Sequence, residues 1–308
     1  MHKAMVNNVS TITSNNPVLI IGCGRIGSAI LSGLLDNGLK KSAVSIVDPY
    51  LDLIKSKFKV LPDKAFNNSL DNINKSLNPS IVIIAVKPAV MDKTLIDLKP
   101  FNLTKTVILS VAAGKMLKYF EDKLGYEQAI IRGMPNTPIS VGEGITVCCA
   151  NDKTTQKQKK LCNSLLRTVS SVEWIKDESL MDAVTALSGS GPAYLFYLVE
   201  AMASAGEALV LPTKLSQKLA SETISGSVAL LKKSKSSATD LRKNVTSPGG
   251  TTSAALEVMM AEDGLAKIMR AKRIDEGAIT FDRVEVKFQL DEANNPTGVY
   301  FKQAKDAN

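Results

Sequence analysis

The glycine-rich segment GCGRIG, residues 22–27, constrains the fold of this 308-residue chain more than any other feature. It directly follows an apolar run, VLII, and opens a segment with helical apolar spacing, RIGSAILSGLLDNG (25–38). In a strand–turn–helix unit Gly22 allows a tight turn, Gly24 lets a pyrophosphate approach the backbone, and Gly27 lets helix and strand pack closely. The segment therefore predicts a dinucleotide-binding turn at the first strand of an α/β unit.

Further apolar runs predict a parallel sheet around this unit. Besides 17–22, such runs lie at 43–48, 79–88, 105–114, 128–133, 144–149 and 170–175. Segments with helical character lie between them, at 50–58, 67–77, 90–98, 115–124 and 153–168. Continuous apolar strands that alternate with helices are typical of a mostly parallel, doubly wound sheet. The expected fold is an α/β Rossmann-type doubly wound domain.

From about residue 178 the pattern changes to helices. These are predicted at 178–188, 191–210, 213–233, 237–244 and 252–282, with no convincing strand before residue 283. The predicted segments are a disordered N-terminal tail (1–16), the Rossmann domain (17–178), a helical domain (179–283) and a C-terminal tail (284–308). The last segment could instead form a small hairpin. Small residues in the helix after Pro192 favour either a subunit interface or a tightly packed monomeric core.

Composition argues against several kinds of chemistry. The only histidine is His2, in the polar N-terminal segment, so a Ser-His-Asp triad, a Cys-His pair and most zinc sites are excluded. The cysteines lack metal-ligand spacing, and no metal is expected; they are Cys23, Cys148, Cys149 and Cys162. Reduced and mostly buried thiols of a cytoplasmic protein are the expected state.

Charge and hydropathy restrict the partners. The net charge is +8, but the lysine clusters lack aromatic interleaving, so solvated helix faces explain them better than nucleic-acid binding. A basic surface would also attract anionic cofactors and substrates. The N-terminal segment does not resemble a signal or transit peptide, and no long uncharged apolar run occurs. We expect no nucleic-acid or membrane partner and a cytoplasmic location.

Asp48 bears on the choice of cofactor. It closes the second predicted strand, about 20 residues after Gly27, where a carboxylate would bind the ribose 2′-hydroxyl of NADH and repel the 2′-phosphate of NADPH. Lys55 and Lys57 are nearby, but no arginine follows closely. NADH is therefore slightly favoured over NADPH. A solvent-exposed aspartate at a strand end is the simpler alternative.

Three segments follow later strands of the predicted sheet at the edge where ligands bind. They are AVKP (85–88), SVAAG (110–114) and RGMPNTP (132–138), the last of which contributes Arg132 and Asn136. Each could be ordinary loop sequence. Their shared place at strand carboxyl ends favours a wall of the cofactor site.

The segment NVTSPGGTT (244–252) interrupts the helical region with hydroxyl side chains and bare backbone. A Pro-Gly-Gly turn followed by a helix start offers several N–H groups to a small anion such as a carboxylate. A capping turn, with Thr251 or Thr252 as the cap, is the structural alternative.

Six motifs occur in an order that resembles pyrroline-5-carboxylate reductase from about residue 17 to 283. They are GCGRIG, AVKP, SVAAG, RGMPNTP, ALSGSGPAY and NVTSPGGTT; the last two are the most specific. The resemblance implies a Rossmann domain followed by an all-α dimerisation domain. It also implies NAD(P)H-dependent reduction of 1-pyrroline-5-carboxylate to L-proline, the last step of proline biosynthesis, by hydride transfer to the imine carbon. Homodimers of such enzymes commonly assemble to decamers.

The resemblance also implies site residues. Thr252 would be catalytic, its hydroxyl contacting the ring nitrogen, and the substrate-binding set would be Ser247, Gly249, Gly250, Thr251 and Thr252. The cofactor-binding set would be Gly22, Cys23, Gly24, Arg25, Ile26, Gly27, Asp48, Asn68, Ala85, Val86, Lys87, Pro88, Ala112, Asn136 and Asn244. An asparagine that contacts adenine matches either Asn67 or Asn68.

The chain departs from the family pattern in three places. Asp48 stands where many relatives have residues suited to a 2′-phosphate, Lys235 stands near an acidic position of some relatives, and the segment after 283 has no obvious counterpart. Two other functions fit parts of the sequence. One is a hydroxyacid dehydrogenase or another imine reductase, for which Lys243 would be the nearest catalytic lysine. The other is a non-catalytic dinucleotide sensor.

Overall fold

The computed structural model describes residues 12–261 and 264–265, and the backbone of four strands between 272 and 303. The chain divides into two compact units, Met1–Pro192 and Ala193–Asn308. The boundary expected near residue 178 falls within the first unit.

An eight-stranded sheet forms the centre of the first unit, in the order β3-β2-β1-β4-β5-β6-β7-β8. The strands are β1 Val18–Ile21, β2 Val44–Val47, β3 Phe66–Asn67, β4 Ile81–Ile84, β5 Val107–Ser110, β6 Ala129–Pro135, β7 Gly144–Ala150 and β8 Ser170–Trp174. All neighbours are parallel except β6 and β7. The mostly parallel sheet is confirmed. Strand order reverses between β1 and β4, which is the switch point where such sheets bind ligands.

Helices cover both faces of this sheet. They are α1 Arg25–Asp36, α2 Leu51–Lys57, α3 Met91–Leu98, α4 Leu117–Leu124 and α5 Gln156–Leu166. Val18 and Ile20 of β1 enter the core under α1, α2 and α5, whereas Leu19 and Ile21 enter the core under α3 and α4. Successive strand side chains point to opposite faces. Uninterrupted apolar runs therefore arise because both faces are covered.

The predicted helix at 67–77 is wrong. The segment contains the end of β3 and a 3-10 turn at Leu70–Asn72. Ser69 accepts a hydrogen bond from the Asp71 amide, and Asn74 accepts one from the Ser76 amide. Short polar side chains that bind nearby backbone in this way compete with helix formation, which the apolar spacing alone did not reveal.

The predicted disorder of residues 1–16 is wrong for the described part, which begins at residue 12. Ile12 is 1% exposed and belongs to the core beneath α1. Asn16 donates its side-chain amide to the Asn78 carbonyl, and Ser80 donates to the Asn16 carbonyl. One apolar side chain and a few hydrogen bonds thus fix this segment beside β1. Residues 1–11 lie outside the described residues.

The rest of the described chain is mainly helical, as predicted. Its helices are α6 Met181–Val184, α7 Gly191–Ala208, α8 Thr213–Lys233, α9 Ala238–Asn244 and α10 Thr251–Met259, with a π-helical stretch at Thr185–Gly189. In the second unit α7 and α8 meet closely at Gly206, where a Cβ atom would lie 2.9 Å from the Ser216 hydroxyl. None of the described helices is long and apolar enough to cross a membrane.

The predicted helix at 252–282 is too long. Helix α10 ends at Met259, and short strands β9 (Lys272–Arg273) and β10 (Ile279–Thr280) pair antiparallel where helix was expected. At Gly264 a Cβ atom would meet the Met259 carbonyl group, so the chain turns back where only glycine fits. Beyond residue 283, β11 (Val284–Leu290) and β12 (Pro296–Gln303) form an antiparallel hairpin, the alternative to a tail.

Candidate active site

The turn between β1 and α1 has the geometry expected of a phosphate-binding turn. Gly22 has φ of 86°, and a Cβ atom on it would lie 2.7 Å from the Ala85 carbonyl oxygen. A Cβ atom on Gly27 would collide with the Gly22 carbonyl oxygen. At Gly24, in contrast, nothing lies within 4 Å of an added Cβ atom. Two glycines therefore close the strand–helix contact, and the third leaves open space over the backbone.

The N-terminus of α1 is available to an anion. Its N-cap is Gly24, which offers no side-chain cap, and the first intrahelical bond runs from the Ser28 amide to the Gly24 carbonyl at 2.9 Å. The amides of Arg25, Ile26 and Gly27 precede that bond and have no acceptor within the helix. These donors and the helix dipole fit the pyrophosphate of a dinucleotide.

Asp48 fixes the turn between β1 and α1 through hydrogen bonds to the backbone. Its two carboxylate oxygens accept hydrogen bonds from the Cys23 amide at 2.7 Å and from the Tyr50 amide at 2.9 Å. The aspartate is 7% exposed, so it is not the exposed strand-end residue of the simpler reading. Because Asp48 takes the Cys23 amide, that predicted cofactor residue has no amide left to offer a phosphate.

The Cys23 side chain is not a nucleophile. Burial raises the pKa of its thiol to about 11; the Ser28 hydrogen bond lowers this pKa and the Asp48 charge raises it. The thiol therefore stays protonated at neutral pH and places no negative charge beside the phosphate site.

A cleft of about 310 Å³ opens directly after β2. Its lining residues are Pro49, Tyr50, Leu51, Asp52, Leu53 and Asn68. The Asn67 side chain is already engaged, since it donates to the Ile46 carbonyl at 3.2 Å and ties β3 to β2. Of the two candidate asparagines, only Asn68 lines this cleft, and its side-chain oxygen accepts a hydrogen bond from the Asn72 side-chain amide.

The remaining predicted cofactor residues of the first unit lie on the other side of the switch point. Ala85, Val86, Lys87 and Pro88 follow β4, and Ala112 follows β5. Asn136 follows β6, and its side-chain oxygen accepts from the Ile145 amide at 2.9 Å. That bond orients the Asn136 side chain, so the residue is at least partly structural.

Arg132 does not belong to an open cofactor wall, contrary to the sequence-based expectation. It is 3% exposed and donates to Glu178 at 2.9 Å. The same Glu178 oxygen accepts from the Leu117 amide, also at 2.9 Å. Sequence reasoning missed Glu178 because it lies 46 residues from Arg132 and no local motif marks it. A buried cation requires a counter-charge, and that requirement was the only available signal.

The second motif forms a turn between α9 and α10. Gly249 has φ of 69°, the Gly250 amide donates to the Ser247 carbonyl at 3.1 Å, and Gly250 is the N-cap of α10. No side chain caps this helix, so the expected structural alternative of a threonine cap does not occur. Thr251 and Thr252 are both exposed.

Helices α9 and α10 differ in how they begin. At α9, Ser237 and Asp240 form a capping box that satisfies the free amides. At α10 the amides of residues 251–253 precede the first intrahelical bond, from Ala254 to the Gly250 carbonyl at 3.2 Å. They remain available to a ligand. Asn244, the last residue of α9, is also exposed.

Known protein families match both parts of the chain that carry the glycine-rich motifs GCGRIG and NVTSPGGTT. The family model described as pyrroline-5-carboxylate reductase dimerisation matches residues 178–274. The model described as NADP oxidoreductase, coenzyme F420-dependent, matches residues 17–114. A pyrroline-5-carboxylate reductase of Pseudomonas aeruginosa is 32% identical over 254 residues, which is 82% of this chain and 92% of the relative. The enzyme of that name from Pisum sativum is 32% identical over 236 residues, 77% of this chain and 85% of the relative.

Solved structures give the same result. A pyrroline-5-carboxylate reductase from Coxiella burnetii superposes with a TM-score of 0.72 at 32% identity, covering 81% of this chain and 92% of that chain. A Plasmodium falciparum pyrroline carboxylate reductase with NADP bound gives 0.68 at 30% identity, covering 80% and 90%. The chain therefore belongs to the pyrroline-5-carboxylate reductase family, NAD(P)-dependent oxidoreductases that convert pyrroline-5-carboxylate to proline.

Proposed function

We propose that the two uncapped helix N-termini of this reductase each bind a different anionic group, one of the cofactor and one of the substrate. The amides at the start of α1 hold the pyrophosphate of the dinucleotide, and those at the start of α10 hold the carboxylate of pyrroline-5-carboxylate. The observation that carries the proposal is that each helix begins from a glycine with no side-chain cap. Each start therefore presents donors to an anion without a competing internal acceptor.

The substrate loop acts through neutral groups. Amides at Thr251 and Thr252 fix the carboxylate, and the Ser247 hydroxyl lies in the same turn. The Thr252 hydroxyl accepts from the protonated ring nitrogen and so holds the proton at that atom. A cyclic imine nitrogen is basic, so the substrate brings its own proton and no histidine is needed. When bound, the reduced dinucleotide supplies the hydride for the imine carbon.

The cofactor lies across the switch point in this proposal. Gly24 and the amides of α1 hold the pyrophosphate, and Asn68 contacts the adenine in the cleft after β2. The residues that follow β4, β5 and β6 hold the nicotinamide half. This arrangement is supported by strand order and by the open space at Gly24.

We propose further that NADH is preferred. Asp48 is held by two backbone amides, so its charge cannot swing away from the end of β2. A fixed carboxylate there can accept from ribose hydroxyls through its remaining lone pairs, and it repels a 2′-phosphate. The Plasmodium relative has NADP bound, so the preference is expected to vary within the family.

The deciding experiment compares oxidation of NADH and NADPH by purified protein with pyrroline-5-carboxylate as substrate. We expect turnover with both and a higher kcat/KM with NADH. A clear NADPH preference would overturn the role of Asp48 and leave the reductase assignment intact. Cofactor binding without turnover of this imine would support the sensor, and turnover only of 2-hydroxy acids would support a hydroxyacid dehydrogenase.

The assembly proposed from the resemblance is a homodimer that builds a decamer in the cytoplasm. The match to a dimerisation family over 178–274 supports the dimer. Light scattering of the purified chain tests the larger assembly, whose mass would be ten times the 33.0 kDa of one chain.

A further inference from the structure

We infer that Glu178 is a positioning residue that fixes the loop after β5, and through it the nicotinamide half of the cofactor. The inference concerns contacts within the first unit, and it rests on the proposed function because it assumes a dinucleotide across the switch point. The loop, residues 111–116, joins the carboxyl end of β5 to the start of α4.

The loop is held at its two ends. At the β5 end the Val111 amide donates to the Ile84 carbonyl at 3.0 Å. At the α4 end the Leu117 amide donates to Glu178 at 2.9 Å. Leu117 is the first residue of α4, so its amide has no acceptor within the helix, and the N-cap Met116 offers none from its side chain. Glu178 therefore caps α4 from 61 residues away.

Arg132 holds Glu178 in place. It lies opposite Ser110 in the parallel register of β5 and β6, at the same edge of the sheet as the loop. Its guanidinium is buried and donates to the same glutamate oxygen that receives the Leu117 amide. Charge-assisted bonds of this kind are stronger and more directional than neutral ones. The pair thus holds the largely buried Glu178 carboxylate in place as a cap.

Strand order decides which half of the cofactor the loop serves. β2 and β3 lie on one side of β1, and β4, β5 and β6 lie on the other. The adenosine half is placed at the cleft after β2, so the loop after β5, which carries Ala112, serves the nicotinamide half. Between its anchors Ala112 is buried and its amide donates to the Ser110 hydroxyl at 3.4 Å, whereas Ala113 and Gly114 are exposed. The exposed part of the loop therefore depends on the anchor at Leu117.

The test measures dissociation constants of NADH and of ADP-ribose, which lacks the nicotinamide, for wild type and Glu178→Gln. Glutamine keeps one acceptor oxygen but loses the charge that holds Arg132. We expect NADH to bind about tenfold more weakly, because the released loop must be ordered when the nicotinamide half binds, and ADP-ribose to bind within about twofold of wild type. Glu127→Gln is the matched control, since Glu127 pairs with Lys153 on the surface.

The outcomes separate the alternatives. Equal weakening of both ligands, or no weakening of either, would overturn the inference, because a purely structural pair would not distinguish the halves of the cofactor. Thermal unfolding with each ligand shows whether the variant is folded. If Glu178→Gln does not fold, Glu178→Asp replaces it, and the same selective loss of NADH affinity is expected because the shorter side chain cannot reach both partners. Wild-type protein that binds neither ligand would instead contradict the proposed function.

Discussion

At the scale of single residues, the proposed site uses backbone amides and hydroxyls in place of titratable groups. Asp48 and Glu178, the two buried or half-buried carboxylates near the proposed cofactor, both accept from backbone amides. They act by holding segments in place. Chemistry that needs no protein base requires only that substrate and cofactor are oriented.

The Thr252 hydroxyl is expected to contribute to the rate, and Lys243 is not. Thr252→Ala should lower kcat/KM for pyrroline-5-carboxylate by about ten- to a hundredfold, the loss of a hydrogen bond to a charged group. Lys243→Ala, an exposed neighbour, should keep most of the activity. Steady-state kinetics at saturating NADH measures both. The reverse result would point to a lysine-dependent dehydrogenase.

The Asp48 charge is expected to determine the preference for NADH over NADPH. Asp48→Asn removes the charge that would repel a 2′-phosphate and preserves the side-chain shape. The ratio of kcat/KM with NADH to that with NADPH should fall by about tenfold. Asp122→Asn, which removes a surface charge on α4 away from the cleft, is the control. An unchanged ratio, with both cofactors weakened alike, would mean that Asp48 only supports the Cys23 turn.

The Cys149 thiol is expected to make the free energy of unfolding depend on pH in the alkaline range. Burial, followed by the Glu178 charge, raises its pKa to about 12 from 9.0. Between these values the unfolded chain has lost this proton and the folded chain retains it, so the free energy of unfolding falls as pH rises. Urea unfolding from pH 8 to 11 should show a slope shallower by up to about 1.4 kcal/mol per pH unit in Cys149→Ala. Equal slopes in variant and wild type would refute the assignment.

At the scale of elements, different glycines of the turn between β1 and α1 serve packing and ligand approach. Gly22 and Gly27 bring β1, α1 and the Ala85 backbone together, whereas Gly24 faces open space. The motif therefore combines two physical requirements, close packing and close approach of a ligand, at neighbouring positions.

Alanine substitutions should separate these requirements. Gly27→Ala places a methyl group on the Gly22 carbonyl and should reduce the free energy of unfolding by about 1–3 kcal/mol. Gly24→Ala meets no protein atom and has φ of −66°, so stability should hardly change while the dissociation constant of NADH rises. Chemical denaturation and ligand titration of both variants test this. Unaltered NADH binding in Gly24→Ala would remove the pyrophosphate from this turn.

At the scale of the whole molecule, the second unit exposes much apolar surface. On α8 the residues Leu215, Leu219, Val228, Leu230 and Leu231 are each 40–55% exposed, whereas the buried positions are Ser216 and Ala220. Apolar surface of this extent marks an interaction site in a protein. The dimerisation family match covers the same helix.

A charge on this surface should disrupt the assembly. Leu219→Glu introduces a carboxylate among exposed apolar residues and should shift the mass measured by light scattering toward that of a monomer. Lys218→Gln, the adjacent position on α8, should leave the mass unchanged. A Leu219→Glu protein of wild-type mass would place the subunit interface elsewhere.

The local sequence was enough to predict those elements that depend only on neighbouring residues. The apolar runs identified seven of the eight strands of the central sheet, and the glycine spacing identified the turn before α1. It failed where distant groups decide. Ile12 is ordered by a core formed later in the chain. The segment 67–77 follows local bonds of serine and asparagine side chains. Periodicity alone could not show that α10 stops at Met259.

The sequence by itself determined the fold class, the family and the two glycine-rich turns, because strand burial, helix spacing and glycine geometry are properties of neighbouring residues. Only the tertiary structure decided which groups meet. It pairs Arg132 with Glu178, and Glu178 with the Leu117 amide. It also places the Asp48 carboxylate on the Cys23 amide, and it places Asn68 in the cleft after β2 while the Asn67 side chain binds the Ile46 carbonyl. Such pairings join residues tens of positions apart. They follow from the desolvation of buried charges and amides, which no local pattern records.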